Sequence, residues 1–341
     1  QFMSLVGSSA VDKPVGGVDQ NNGFVAGSDN LQVVSNPDGS VTATFSIGYR
    51  PSFLSMIGMN TMTIGVTATA YAEAKPQNQT CIYALSKEAM GLRINSGVNI
   101  YSKHCEIAVY SDKTGQDAFF AAADARIDTA KFCVKGTQYN NHAKVGLKNL
   151  VPDCTPPADP YAGKIPVPTI PSTCSTQGVN EVKNVSVKPG KHCSTQFRNN
   201  TKITFEPGVH IISGTVLVDG GPTIIAEGVT FYFPNSDSEL RPNGGVTTVM
   251  KAPTSGPYKG ILMFETPTKK NAPYIFNGSI SEQLEGVIYL PSRDVTFNSN
   301  TKQVSKITLV VNSAIMNPND WKIEPYDGGL GGKTAPPRLL K

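Results

Sequence analysis

The sequence predicts a mainly β protein, a right-handed parallel β-helix (a solenoid of stacked coils) preceded by a small α+β module. Three observations predict this fold class. Only 16% of the 341 residues are charged, while 32 are glycine and 25 are proline, and this composition disfavours coiled coils and helical repeats. Short runs that alternate apolar and polar residues recur along the chain, as in half-buried strands. In the second half these runs return at intervals of about twenty residues, as in stacked repeats.

The chain divides into three parts on this interpretation. Residues 1–77 form an N-terminal segment that contains the small module, residues 78–316 form the repeat domain, and residues 317–341 form an irregular Gly/Pro-rich tail. The length exceeds what one compact core usually supports, so two domains or one elongated domain are expected. A hydrophobic content of 39% and a net charge of +4 allow a sizeable core and disfavour disorder.

The N-terminal module is predicted to be a hairpin, a short helix and a further strand. Residues 31–34 and 41–47 flank Asn-Pro-Asp-Gly at 36–39, which favours a turn. A proline near the start and a glycine at the end of residues 51–58 favour a short helix. Residues 62–70 alternate threonines with apolar residues, and this pattern favours a strand.

The first half of the repeat domain shows strand-like runs without clear helices. These runs are residues 91–94, 98–101 and 106–109. Residues 118–130 stay open between a helix, favoured by their alanines, and a strand around 126–128. Residues 150–173 contain seven prolines and are predicted to be an extended connection, because proline cannot donate to a β ladder.

The second half repeats one theme, in which a turn glycine is followed by a hydrophobic strand. The segments that share this theme are 187–192, 205–210, 226–231, 259–264 and 285–290. Their spacing favours coils that hide apolar side chains in a shared axial core. The alternative is a β-sandwich, which needs strands that return as hairpins every 8–12 residues. Apart from residues 36–39, strong hairpin turns are scarce.

Six cysteines indicate disulfide bonds. None of their spacings is the two-residue gap of a zinc site or a redox pair, and only four histidines accompany them. An even number in a polar chain favours an oxidising compartment. Fifteen pairings are open, and pairing between sequence neighbours is preferred. The disulfide candidates are Cys81, Cys105, Cys133, Cys154, Cys174 and Cys193.

The sequence offers weak candidates for chemistry, and we assign no catalytic, cofactor-binding or metal-binding residue. Asp237 and Glu239, next to Arg241, are the closest pair of acids in the second half, whereas glycoside hydrolysis requires two carboxylates on one face. His192 and His210 follow equivalent Pro-Gly pairs and are predicted to stack on adjacent coils, either as a metal site or as a structural repeat. No basic block interleaved with aromatic residues is present, so nucleic-acid binding is not expected.

Several stretches together resemble the TadE/TadG-like proteins of Flp (Tad, tight adherence) pilus assembly. Residues 40–74 are similar to the strand, short helix and Thr/Ala-rich strand of that family. Residues 81–85, which lead to Cys105, resemble the opening of its repeat region. The stretches at 252–264 and 286–292 are the most specific, and Asp-Pro-Tyr-Ala at 159–162 also fits. The resemblance spans about residues 31–315.

The resemblance implies a protein of the bacterial cell envelope, periplasmic or extracellular, with no catalytic residues to carry over. It implies an N-terminal hydrophobic helix as the membrane anchor. That helix is missing from this chain, which begins at Gln1 and holds no long apolar run, and we expect it to lie upstream. The expected partners are pilin subunits or other pilus-assembly proteins, with surface polysaccharide as a further candidate.

The leading hypothesis is therefore a non-enzymatic structural or adhesive component of a Tad-type pilus, in assembly or surface attachment. The alternative is a carbohydrate-active β-helix enzyme or a polysaccharide-binding module. A third hypothesis is a phage-tail or capsule-binding module, which would form trimers.

Overall fold

The computed structural model describes residues 31–35, 40–49, 62–71, 79–88, 90–268, 272–277, 279–298, 305–328 and 338–339. The described residues are mainly in strands, with one short 3-10 helix at Lys144–Gly146. The strands before the repeat region are β1 Leu31–Ser35, β2 Ser40–Tyr49 and β3 Met62–Tyr71. Those up to residue 151 are β4 Gln79–Ala84, β5 Leu92–Ile94, β6 Val98–Val109, β7 Phe119–Ala121, β8 Arg126–Val134, β9 Asn140–Asn141 and β10 Leu150–Val151.

The remaining strands follow a stretch without strands at residues 152–175. They are β11 Thr176–Asn180, β12 Asn184–Val187, β13 Gly190–Phe197, β14 Lys202–Phe205, β15 Gly208–Ile212, β16 Thr215–Asp219, β17 Thr223–Glu227, β18 Val229–Phe233, β19 Glu239–Asn243, β20 Val246–Lys251, β21 Ile261–Glu265, β22 Ala272–Asn277, β23 Ser279–Asn298, β24 Ser305–Met316, β25 Asn319–Glu324 and β26 Arg338–Leu339.

The strands fall into two compact units, and the chain passes from the first to the second between residues 77 and 78 and back to the first between residues 332 and 333. The first unit is an antiparallel sheet in the order β1-β2-β3-β26. Thr42 lies opposite Thr69 and Thr44 opposite Thr67, with hydroxyl oxygens 3.1 and 3.4 Å apart. These threonine pairs share one face of the sheet, so the predicted alternation of threonines with apolar residues along β2 and β3 is observed. The predicted turn at 36–39 and the predicted helix at 51–58 lie outside the described residues.

The second unit is a large sheet whose described pairings are all parallel, in three columns. Column 1 contains the start of β13, β15, β18, β21, the middle of β23, β24, β4, the ends of β6 and β8, and β10. Column 2 contains β11, the end of β13, β16, β19, β22, the ends of β23 and β24, β5, β7 and β9. Column 3 contains β12, β14, β17, β20, the starts of β23 and β24, β25, and the starts of β6 and β8. A sandwich of hairpins cannot produce parallel pairing of this kind.

The order of the strands within the columns differs from their order in the chain. β24 pairs on one side with β23 and on the other with β4 and β5, and β25 pairs with β6. Residues 79–151 therefore continue the columns beyond residue 324, although they come first in the sequence. The columns end at β11 and β12 on one side and at β9 and β10 on the other.

The core lies between the columns and is built by alternating side chains. In β20, Val246, Thr248 and Met250 are buried, and the residues between them are half-buried. Phe276 and Phe297, which are Cα partners in column 2, stack with ring centroids 4.8 Å apart. Gly286 lies within β23, between the part that pairs in column 3 and the part that pairs in column 1. Its φ is 135°, and a Cβ atom there would lie 2.6 Å from that of Ala252. Glycine is required at this position because other residues rarely adopt this φ and the space is filled.

Residues 118–130, which the sequence left open between helix and strand, contain β7 and the start of β8, because Phe119, Ala121 and Ile127 point into the core at strand period. One sequence prediction in this region needs correction. The tail predicted for residues 317–341 begins too early. Residues 319–324 form β25, which pairs with β6 and buries Trp321 in the core. β25 is a single six-residue run that contains aspartate and lysine and does not match the repeats, so no pattern in the sequence predicted this strand.

None of the helices in the described residues is long and apolar enough to cross a bilayer.

Candidate functional site

All six cysteines are paired, each with its neighbour in sequence. The bonds are Cys81–Cys105, Cys133–Cys154 and Cys174–Cys193. This is the pairing that the sequence spacing favoured. Three disulfides indicate an oxidising, extracytoplasmic location.

Two of the disulfides fasten the ends of the proline-rich connection, residues 154–174, which we call the strap. Cys133 lies at one end of column 1, and Cys193 follows directly on the column's other end. Eight successive pairings separate Cys133 from Lys191 in column 1, which corresponds to about 38 Å at about 4.8 Å per strand. The twenty residue-to-residue steps from Cys154 to Cys174 reach about 66 Å when extended, at about 3.3 Å per step. The strap is therefore long enough to return the chain along the whole column.

The strap covers an apolar row on the outer face of column 1. Neighbouring strands place these side chains in register, and together they form a second buried cluster beside the main core. The members of this row are Tyr83, Val310, Tyr289, Phe264, Tyr232 and Ile211. Tyr161 of the strap is 2% exposed, and its ring lies 5.9 Å from that of Tyr289. The strap is thus packed against the sheet as part of the folded unit.

Polar contacts hold the strap at defined points. Tyr289 Oη donates to Asp159 Oδ2 at 3.1 Å, and Tyr110 Oη donates to the Pro157 carbonyl. Burial, together with the neighbouring Tyr83 and Asp159, raises the pKa of Tyr110 to about 12. Burial, followed by the charge of Asp159, also raises the pKa of Tyr289. Both phenols therefore stay protonated and act as donors at ordinary pH.

The two predicted histidines meet inside the second unit. His192 Nε2 and His210 Nδ1 are 2.8 Å apart, and the rings stack with centroids 5.0 Å apart. His210 is the Cα partner of Gly190, which lies two residues before His192. Because side chains alternate between the two faces along a strand, an offset of two residues still places both imidazoles on the inner face. Both residues are at most 1% exposed. No group of three metal-ligating side chains occurs in the described part of the chain.

Hydrogen bonding fixes where the protons of this pair lie. His210 Nε2 is 2.8 Å from the Glu206 carbonyl, which can only accept. His210 Nδ1 must then accept from His192 Nε2, and His192 Nδ1 accepts from the Thr176 hydroxyl at 2.9 Å. Burial and the neighbouring His210 lower the pKa of His192 to about 4, and burial lowers that of His210. Both rings are therefore neutral at pH 7.

Asp237, Glu239 and Arg241 line a cleft of about 280 Å³ on column 2, so the weak acidic candidate of the sequence does lie in a concavity. Arg241 Nε donates to Glu239 Oε1 at 3.0 Å, and Arg241 Nη2 donates to the other carboxylate oxygen. Arg241 thus engages both oxygens of Glu239, and the two residues lie on the same strand, β19. Asp237 is exposed at the rim.

A buried ion pair beside the cleft was not anticipated from the sequence. Arg293 is 1% and Glu265 3% exposed, and Arg293 Nε donates to Glu265 Oε2 at 2.6 Å. The guanidinium also donates to the carbonyls of Asn235, Ser236 and Ser238. An arginine directly after a hydrophobic run carries no pattern that reveals these partners, because they lie 28 to 58 residues away.

A ladder of amide side chains on the edge of column 2 was also missed. Each member donates its Nδ2 to the oxygen of the next, in the order Asn95, Asn317, Asn298, Asn277, Asn243 and Asp219. The sequence intervals between these asparagines are unequal, so no period shows them. The ladder links neighbouring strands along the surface of the unit.

Comparisons with known proteins add no assignment. The chain matches no protein-family model, no curated protein and no solved structure. The function is therefore inferred from the chain's own geometry and from the resemblance of its motifs.

Proposed function

We propose that the second unit is a right-handed parallel β-helix and that the protein is a non-enzymatic structural or adhesive component of a bacterial Tad-type (Flp) pilus. Its partners are pilin subunits or other pilus-assembly proteins, and its place is the cell envelope or the extracellular surface. The parallel columns support the helix, because strands that pair in parallel with strands 18 to 34 residues away are typical of stacked coils.

One observation carries the functional proposal. The motifs that resemble the pilus-assembly family meet on the face covered by the strap. Tyr258 and Phe264, from the stretch 252–264, stack with centroids 5.5 Å apart, and Tyr289 bonds Asp159. These residues build a covered, disulfide-fastened face, as expected of a scaffold that works outside the cell.

The ionisable groups of the core and the cleft support the same proposal. Glu265 is bonded to Arg293, Glu239 to Arg241, and His192 to His210. Each is committed to a structural contact, whereas a catalytic acid or base must be available to a substrate proton. A scaffold uses its polar groups in this way.

Deletion of the gene from its host tests the proposal. Cells that lack the protein are compared with cells that regain the full chain, by counting pili in electron micrographs and by measuring attachment to glass and plastic. We expect loss of pili or attachment, with recovery on complementation. Unchanged pili and attachment would contradict the proposal.

The cleft on column 2 favours a second candidate, a carbohydrate-active enzyme or polysaccharide-binding module. Asp237, Glu239 and Arg241 are the observation behind it. Incubation of the purified chain with neutral and acidic polysaccharides separates these activities, since only an enzyme releases new reducing ends. Reducing-end release that is abolished by Asp237→Asn would favour the enzyme over the scaffold.

A further inference from the structure

The cleft on column 2 coincides with an interruption of the parallel pairing. β19 pairs with β16, and β22 pairs with β23, but no backbone pairing joins β19 to β22 among these fully described strands. Both strands contain a proline, Pro242 and Pro273, and proline has no N–H for a ladder. The Tyr274 hydroxyl donates to the Leu240 carbonyl at 2.9 Å, a bond that compensates for part of the missing ladder.

The interruption is a wedge that is closed at one end. Asn277 Nδ2 donates to Asn243 Oδ1 at 3.2 Å, so the strands lie side by side where they end. At the other end the space opens between Glu239 and Arg241 on one strand and Ala272 to Ile275 on the other. The volume of about 280 Å³ lies near the lower limit of ligand pockets, which typically begin at ~300 Å³. It accommodates one small polar unit, and its open side allows a longer chain to continue.

The walls of the cleft carry donors and acceptors without net charge. Asp237 and Glu239 contribute two negative charges, while Arg241 and Arg293 contribute two positive charges. The Ser236 hydroxyl lies in the same lining. Four of the five N–H groups of Arg293 reach protein acceptors in the described residues, which leaves one on Nη1 for a ligand oxygen.

One side of the cleft is apolar, formed by Ala272, Pro273 and Ile275. Ile275 is half-buried and Pro273 is exposed. A ligand that fits must therefore present an apolar face and a polar edge with both donors and acceptors. A neutral sugar does so, because each hydroxyl both donates and accepts while the ring C–H groups are apolar. An acidic sugar gains less, because both arginines are already neutralised by carboxylates.

The cleft is held rigidly before any ligand arrives. Arg293 bonds three carbonyls of the loop at 235–238 and ties this loop to Glu265, which in turn accepts from the Ser292 N–H at 2.7 Å. A buried ion pair contributes little net stability relative to apolar residues. Its effect here is to fix the loop that forms one wall, and a preorganised wall reduces the entropy lost on binding.

We propose that the cleft between β19 and β22 binds one residue of a neutral surface polysaccharide. Asp237 and Arg241 bond its hydroxyls, and Ile275 packs against its ring. The inference rests on the proposed function, because it names the class of ligand to which an adhesive pilus component would attach.

The test uses the purified full chain and a panel of neutral tetrasaccharides built from glucose, mannose, galactose or N-acetylglucosamine, with tetragalacturonate as the charged counterpart. Saturation-transfer NMR and calorimetry measure binding. We expect at least one neutral tetrasaccharide to bind saturably and more tightly than tetragalacturonate. Asp237→Asn is expected to weaken binding about tenfold, as for a lost hydrogen bond to a charged group, and Ile275→Thr is expected to weaken it as well.

Matched controls lie on the same unit. Asp153→Asn makes the same change at another exposed aspartate, and Ile315→Thr makes it at another half-buried isoleucine of column 2. Neither control variant is expected to change binding. Thermal unfolding of all four variants checks that each one is folded. No binding by the neutral panel, preference for tetragalacturonate, or equal binding by Asp237→Asn and Ile275→Thr overturns the inference.

The attachment assay separates the two proposals. A chain that restores pili or attachment but binds none of the neutral sugars contradicts the cleft inference alone. A chain that binds a neutral sugar through Asp237 and Ile275 but restores neither pili nor attachment contradicts the pilus function alone.

Discussion

His192 and His210 show how a single pair of residues makes the fold sensitive to acid. Both rings are buried and neutral, in a hydrogen-bonded chain whose direction is set by the Glu206 carbonyl. The pKa of His192 is lowered to about 4 in the folded protein, against about 6.5 in an unfolded chain. Between these values the unfolded state binds a proton that the folded state does not. Stability contributed by this residue is therefore complete above pH 6.5 and is lost as the pH falls towards 4.

We expect the free energy of unfolding to fall by about 3 kcal/mol more in the parent than in His192→Gln when the pH is lowered from 7.5 to 4. Urea unfolding followed by fluorescence of Trp321, the single tryptophan of the chain, measures this difference. His142→Gln is the matched control, because His142 is exposed, with its ring 5.8 Å from that of Phe120. An equal acid response in the parent and His192→Gln contradicts this account.

The buried pair of Arg293 and Glu265 leads to a second prediction at the residue scale. Arg293→Met leaves the Glu265 carboxylate buried without its partner and is expected to cost about 3–5 kcal/mol. Arg293→Met combined with Glu265→Gln removes the charge as well and keeps an oxygen for the Ser292 N–H. The double variant should therefore be more stable than the single one in urea unfolding. A double variant that is less stable than Arg293→Met would argue against a coupled ion pair.

At the scale of elements, the strap is the feature that distinguishes this unit. It begins at Cys154 and ends at Cys174, and it covers the apolar row through Tyr161. Its attachment depends on the disulfides and on contacts such as Tyr289 to Asp159. The strap links the two ends of column 1, so its release should loosen the whole outer face.

Removal of one strap disulfide is expected to free the strap. Cys133→Ser with Cys154→Ser should lower the free energy of unfolding by about 2–4 kcal/mol and should speed trypsin cleavage after Lys164, an exposed strap residue. Cys81→Ser with Cys105→Ser removes a disulfide away from the strap and is the control. Mass spectrometry of timed digests measures cleavage at Lys164. Equal cleavage rates in the two double variants would show that the disulfide does not hold the strap.

Local patterns predicted the elements better than their arrangement. Alternation of apolar residues revealed strands such as β2 and β3, because a buried face requires period two. The glycine at residue 286 was visible because it recurs before hydrophobic runs in the second half of the chain. The pairing of β24 with β4 was not, because it joins residues more than 200 positions apart without any sequence signal. The cleft depends on that kind of distant geometry, so the sequence indicated Asp237 and Glu239 but not Arg293 or Ile275.

At the scale of the whole molecule, the strands of the second unit are stacked in an order that differs from their order in the chain. Residues 79–151 extend the columns beyond β24 and β25, and the strap then carries the chain back to β11. This order explains why a long proline-rich segment interrupts a repeat domain. The segment is the return path, and its prolines keep it from adding a strand to the sheet.

A crystal structure of the full chain tests the central claim most directly, which is that parallel strands stack in three columns in this order. The account predicts Tyr83 between Val310 and Ala108 in one parallel column, with the strap across its outer face. Antiparallel layers that face each other, or a chain in which residues 79–109 do not pair with residues 305–324, would contradict it.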